Sequence, residues 1–313
     1  MSGKMKQYFT FSIKALRLPI IFIILFFGIG VWLYITTGTI FYIINFGYIG
    51  TALAIGFFLN GTLNKKYSGW GRRISALLVG IYMLGYLGLI EGENMQIEGF
   101  FFYLLMGVFA GATIHYLVAK IGGTVLFGRG WCGNACWTAM VLDFLPWKRN
   151  KKGRYRKWGL LRYAHFIIVV GIIIFVWFTI YDKNSLLSRY TEFTWLITGN
   201  IIYYAIGIIL AAILKDNRAY CKYVCPIPVF MKIGSRFSIL KMSISPEKCT
   251  DCGLCEKACL MDIKLLEYKN EGKRILSTEC ILCNTCSNVC PTKAISFTTK
   301  FDCSFKEKLN WKE

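Results

Sequence analysis

The chain has 313 residues, of which 55% are hydrophobic, 16% aromatic and only 17% charged, with a mean hydropathy of +0.48. A soluble globular chain carries about 25% charge, so polar surface is scarce here, and disorder, collagen and a small disulfide scaffold are excluded. The net charge of +20 invites a nucleic-acid reading, and the 13 cysteines invite a metal reading.

Six apolar stretches follow one another, at about 18–36, 41–60, 74–90, 99–119, 160–181 and 194–214. Each approaches the ~20 residues that a bilayer core requires of a helix. The first is too long for a signal-peptide core and no small-residue cleavage site follows it, so it reads as a retained span. Within the fourth, Gly107-x3-Gly111 and the run Ala110-Gly111-Ala112-Thr113 read as a small-residue packing face.

Orientation follows from where the cations fall. Lys4, Lys6, Lys14 and Arg17 precede the first span, and Lys65, Lys66, Arg72 and Arg73 separate the second from the third. With Lys120 to Arg162 and everything after the sixth span, 35 of the 37 Lys and Arg share one side. Only Lys183 and Arg189 lie on the other, beside Glu91, Glu93, Glu98, Asp182 and Glu192. Both termini are therefore expected in the cytoplasm, and the +20 is an orientation signal rather than a nucleic-acid footprint. All 13 cysteines fall on the same reducing side, where metal or redox chemistry is favoured over disulfides.

The two histidines, His115 and His165, sit near the inner ends of the fourth and fifth spans. Ionisable groups inside a membrane are functional candidates, and quinone contact or haem ligation stands against an ordinary packed histidine. Two cysteine pairs follow spans four and six: Gly130-Trp131-Cys132-Gly133-Asn134-Ala135-Cys136 and Tyr220-Cys221-Lys222-Tyr223-Val224-Cys225-Pro226. On a helical turn, C-x3-C places both sulfurs on one face. Cys132, Cys136, Cys221 and Cys225 could supply a further iron–sulfur centre or metal site, act as redox dithiols, or be structural. Asp143 and Arg129 flank the first pair as candidates for proton coupling or for interfacial pairing. Between the pairs, Trp147 to Trp158 carries seven cations, which read as charge lying on anionic headgroups or as a dock for an acidic partner.

The strongest signal is C-terminal. Cys249-x2-Cys252-x2-Cys255-x3-Cys259 is followed by Cys280-x2-Cys283-x2-Cys286-x3-Cys290-Pro291. This is the two-cluster ferredoxin run, in which the fourth Cys of each run ligates the other cluster. The expected ligand sets are Cys249, Cys252, Cys255 and Cys290 for one 4Fe–4S cluster, and Cys280, Cys283, Cys286 and Cys259 for the second. Zinc ribbons use paired C-x2-C units instead. Leu260 stands where Pro291 stands in the second run, and Cys303 lies outside the pattern.

Gly128-Arg129-Gly130-Trp131-Cys132-x3-Cys136, Cys221-Lys222-Tyr223-Val224-Cys225-Pro226 and the double run together resemble the polytopic membrane ferredoxins of the NapH/NosR type, which have relatives in copper-oxidase assembly. The resemblance covers about Lys120 to Lys300. Trp137 replaces the proline that usually follows the first pair, which leaves the local turn open. The resemblance implies anaerobic respiration and electron transfer between quinol, or a cytoplasmic donor, and a partner redox protein.

The expected fold is an α-helical membrane bundle of about six spans plus a small α+β two-cluster ferredoxin-like domain. The expected divisions are 1–240 for the membrane part, 241–301 for the ferredoxin domain and 302–313 for a tail. The expected function is membrane-bound electron transfer as a component of an oxidoreductase system, at the inner membrane, with redox subunits as partners and no nucleic acid. The alternative is a maturation factor that reduces a metal or cofactor for another enzyme.

Overall fold

A computed structural model describes residues 13–64, 67–109, 111–179, 186–303 and 305–312. Lys4, Lys6, Lys65, Lys66, Ala110, Asp182 and Lys183 lie outside the described residues, as do the side chains of Lys14 and Arg189. The chain divides into two bodies, one of Met1–Ile81 with Gly133–Met140, the other of Tyr82–Cys132 with Val141–Glu313.

In the first body, α1 (Arg17–Thr37) and α2 (Phe41–Thr62) form an antiparallel hairpin through Gly38, whose φ of 72° closes the α1 C-terminus. Glycines on α2 let its neighbours approach: a Cβ on Gly50 would strike Phe26, and one on Gly56 would strike Ser75 of α3 (Gly69–Ile81). Small residues at such crossings replace the hydrophobic drive that lipid cannot supply. Ser75 Oγ donates to the carbonyl of Asn134, and Arg72 reaches that of Gly133 at 3.4 Å, so the 133–140 segment is tied to α3.

The second body begins with a π-helical continuation, Tyr82–Ile90. The stretch expected as the single span 99–119 is instead two helices, α4 (Ile97–Met106) and α5 (Gly111–Phe127), bent by 113°. The reason is local: Gly107 and Gly111 both take positive φ, 71° and 48°, which stops α4 rather than packing a continuous helix. The middle of α5, Tyr116–Gly122, is π-helical. Helices α8 (Leu161–Thr179) and α9 (Leu186–Leu214) are long and apolar. Five helices are long and apolar enough to cross a membrane, with the bent pair as a sixth crossing if it is one span.

Short helices α6 (Gly130–Asn134), α7 (Trp137–Leu142), α10 (Ala219–Tyr223) and α11 (Pro228–Arg236) carry or flank the first two cysteine pairs. The C-terminal part has β1 (Leu240–Ile244) antiparallel to β2 (Ile295–Thr299), with Leu240 opposite Thr299 and Ile244 opposite Ile295. Between the strands lie α12 (Leu254–Ala258), α13 (Leu265–Asn270) and α14 (Thr285–Val289). The last residues are not a loose tail. Asn310 donates to the Asp262 carbonyl at 2.8 Å, its own carbonyl accepts from Arg154 N, and Lys312 N donates to Arg154 O.

Candidate functional site

The two cysteine runs are offset by 31 residues, and their backbones repeat as well. Asp251 and Leu282 have φ of 52° and 48°, Gly253 and Asn284 have 69° and 60°, and Asp262 and Lys293 have 53° and 54°. These left-handed residues curl each C-x2-C-x2-C segment so that its thiols turn inward. Their spacing leads into α12 and α14, each of which begins right after its left-handed residue.

Two separate cavities result. One is lined by Cys249, Cys252, Cys255 and Cys290, with Ile244, Leu266 and Ile295. The other is lined by Cys280, Cys283, Cys286 and Cys259, with Met242, Ile263 and Leu265. Cys252 is exposed, whereas Cys255, Cys286 and Cys290 are buried. Burial pushes the Cys280 thiol up to about 12 and those of Cys255 and Cys259 to about 11. Burial also opposes a thiolate at Cys290, but hydrogen bonds from Thr292 and the Ala294 amide bring it below the ordinary value. Among the described residues no three His, Cys, Asp or Glu converge closely enough for a single metal ion. The thiols stand around the walls of each cavity instead, a spread that suits the corners of a cluster.

Beside Cys280, Glu279 anchors this part of the chain to the helices. Its carboxylate accepts from Arg129 at 2.9 Å, Arg154 at 3.1 Å, Arg162 at 2.8 Å and Lys232 at 2.5 Å. Burial alone would raise its pKa; Arg154, Arg162, Arg129 and Lys232 overcome that and hold it well below the ordinary carboxylate range. A second junction has Lys222 between Asp216 and Asp262, both at 2.5 Å, with Arg149 on the other oxygen of Asp262. None of these ion pairs was singled out from the sequence. An acid next to a cluster cysteine was visible, but its four partners lie far away along the chain.

Of the four C-x3-C cysteines, Cys132, Cys221 and Cys225 lie in the second body and Cys136 in the 133–140 segment of the first. Neither pair occupies one helical turn. Helix α6 stops at Asn134 and α10 at Tyr223, so Cys136 and Cys225 fall beyond the helix ends. Arg218 pairs with both oxygens of Asp143, at 2.9 and 2.6 Å, and its guanidinium also reaches Cys132 O at 3.0 Å and Cys221 Sγ at 3.8 Å. Cys132 Sγ lies 3.7 Å from Met231 Sδ. Burial works against the charge of Arg129, yet Glu279 and then Cys132 raise its pKa; Cys221 and, from the cluster side, Cys280 also feel its field. Arg129 is therefore close to the Cys132 and Cys221 thiols and to Cys280 alike, and Leu282 packs on neighbouring Gly130.

Cys225 packs with Leu142, Tyr203 and Tyr220. Tyr203 also borders a cavity of about 610 Å³ between α8 and α9, whose lining is apolar at Ile168, Ile172, Trp195 and Ile202 and polar at Glu98, His165, Tyr203, Thr194 and Thr198. Tyr203 Oη donates to Glu98 Oε1 at 2.5 Å, and His165 Nδ1 lies 2.8 Å from Val224 O. An apolar pocket of 300–1,000 Å³ with a few convergent polar groups is the usual form of a small-molecule site. His115 is elsewhere, buried against Trp131 at 5.1 Å between ring centres. Glu98 and Tyr203 were not recognised as partners from sequence, where Glu98 counted only as an outer-loop acid.

Known proteins share parts of this sequence. Residues 241–296 match the 4Fe-4S dicluster domain family, and residues 109–155 and 200–245 match a 4Fe-4S binding domain. An uncharacterized protein of Methanocaldococcus jannaschii is 26% identical, covering 74% of this chain and 93% of its own. The ferredoxin-type protein NapH of Haemophilus influenzae is 28% identical over 61% of this chain and 68% of its own. The methylamine utilization ferredoxin-type protein MauN of Paracoccus denitrificans is 27% identical over 63% and 71%. No solved structure matches. With its double cysteine run behind helices able to span a membrane, the chain carries a 4Fe–4S dicluster domain and is homologous to the NapH and MauN ferredoxin-type proteins.

Proposed function

We propose that this ferredoxin-type chain exchanges electrons between a quinol bound in the α8–α9 cavity and a redox partner on the cytoplasmic side of the inner membrane. Cys249, Cys252, Cys255 and Cys290 would hold one 4Fe–4S cluster, and Cys280, Cys283, Cys286 and Cys259 the second. When bound, each cluster supplies a one-electron carrier. The observation that carries the quinol reading is the cavity itself: lipid-compatible walls, with Glu98, His165 and Tyr203 at hand and Cys225 packed on Tyr203. His165 is suited to grip a quinol hydroxyl, and Glu98 to accept a proton passed by Tyr203. Exposed Cys252 marks the cavity through which a partner would meet the first cluster.

The test is anaerobic addition of a short-chain hydroquinone to the oxidised, purified protein, followed by cluster absorbance. Bleaching is expected, and Tyr203→Phe and His165→Ala should each slow it about tenfold or more, the range of a lost acid–base group. No bleaching in the wild type removes the quinol reading.

One contact favours a second reading, a maturation factor that handles a metal for another enzyme. Thiol and thioether are soft donors suited to Cu(I), and Cys132 faces Met231 in the interior. Cu(I) bound at least tenfold more weakly by Met231→Leu supports that role. Equal affinity of variant and wild type discards it.

A further inference from the structure

A quinol site must exchange protons as well as electrons, and the second body contains a buried polar line that leads away from the cavity. It starts at Glu98, whose Oε1 accepts from Tyr203 while Oε2 has no hydrogen-bond partner among the described residues. Two residues back, Gln96 is 1% exposed, and neither atom of its amide has such a partner; its Oε1 lies against Gly199 in the cavity wall. Asn94 follows, with Oδ1 accepting from Gln96 N at 3.1 Å and Nδ2 donating to Glu192 O at 3.3 Å. Tyr103 then joins Asn94 N, at 3.4 Å, to the Glu192 carboxylate. Glu93 is the next acid, half-buried beside Gly111, with no hydrogen-bond partner for its Oε2 among the described residues, and Glu91 beyond it is exposed.

This arrangement is costly unless used. A buried polar group without a partner is unfavourable, and here several lie on one path. The path is also directional. Residues 98, 96 and 94 meet α9 at Tyr203, Gly199 and Glu192 in turn, so the line climbs α9 towards its N-terminal end. Cys221, Cys225 and the double cysteine run follow the opposite end of α9, after Leu214.

We propose that Glu98, Gln96, Asn94, Tyr103, Glu192 and Glu93 form the route by which the cavity exchanges protons with the Glu91 end of the bundle. The proposal rests on the quinol reading of the cavity. Oxidising one hydroquinone breaks two O–H bonds and yields a quinone, two electrons and two protons. The clusters that Cys249, Cys252, Cys255 and Cys290 and that Cys280, Cys283, Cys286 and Cys259 would hold would each accept one of the two electrons, at the cysteine end. The protons leave along the polar line to the opposite end. Electron and proton part in opposite directions, so the chain separates charge across the membrane. Facing Glu93 are Glu91 and Tyr103, and Tyr103 in turn meets Glu192; the groups facing Glu98 are Tyr203 and, across the cavity, His165.

The experiment uses the full chain with its clusters in sealed vesicles, mixed rapidly with decyl-ubiquinol. Three signals are followed: quenching of Trp195, assigned with Trp195→Phe; bleaching of the clusters; and proton appearance on each side, from pH dyes. Protons are expected on the Glu91 side. Gln96→Leu and Glu93→Gln should slow their appearance at least tenfold and shift the pH profile of bleaching, with quenching affinity within twofold of wild type. Gln96→Glu should restore the rate. Normal binding and bleaching with an unchanged proton rate in both variants overturns the route and leaves the quinol reading standing. Loss of Trp195 quenching in Gln96→Leu also overturns it, because Gln96 would then be a ligand contact. A wild type that shows neither quenching nor bleaching overturns the quinol reading and the route together.

Discussion

Glu279 is the residue on which the attachment of the cysteine-rich part depends. Three arginines and a lysine converge on one carboxylate in a nearly dry site, so the cations outnumber the anion and each oxygen is shared. Removing the single anion leaves buried charges without compensation, which costs about 3–5 kcal/mol. Glu279→Gln is therefore expected to destabilise the junction by that amount, read as earlier thermal loss of cluster absorbance. Lys232→Met should cost less than about 1 kcal/mol, because Lys232 is the most exposed partner and three arginines remain. The pH dependence has a definite sign. Since the folded carboxyl lies well below its ordinary value of 4.5, its contribution is complete above that value and is lost only as pH falls through the depressed one. Acidification from pH 7 to 5 should leave the wild-type junction intact in the same thermal assay.

Among the elements, the pair of cysteine loops shows how spacing becomes geometry. Cysteine periodicity was legible because cluster ligands lie a few residues apart, and the 31-residue offset shows that one loop design is used twice. Glycine and asparagine tolerate the left-handed conformation, whereas other residues pay about 1–2 kcal/mol for it. Gly253→Ala and Asn284→Ala are thus each expected to cost about 1 kcal/mol, and Asn284→Gly to change stability by only a few tenths. Cluster-loaded thermal unfolding of the three variants decides this. The bent α4–α5 pair was not legible. Its apolar residues run on without a break, and only the positive φ at Gly107 and Gly111 reveals that the helix ends there.

For the whole molecule, the second body joins long apolar helices to a small cysteine-rich part whose regular sheet is only two strands. A two-stranded sheet is marginal by itself in water, so the clusters are expected to hold residues 241–301 together. Chelation of iron under reducing conditions should expose this segment to protease while the helices keep their far-ultraviolet dichroism. A protease pattern unaffected by iron removal would show that the ion pairs of Glu279 and Asp262 and the Asn310 strap suffice.

By itself, the sequence determined the apolar helices, the double cysteine run and the redox character of the chain. Those depend on hydropathy and short-range spacing, which act within a few turns of backbone. Only the tertiary structure decided that Arg129, Arg154, Arg162 and Lys232 meet Glu279, that Cys132 faces Met231, and that Glu98 meets Tyr203 beside His165. The reason is physical: a buried charge or polar group takes whichever partner packing brings within about 3 Å, and residues 98 and 203, or 129 and 279, share no local pattern that would announce the pairing.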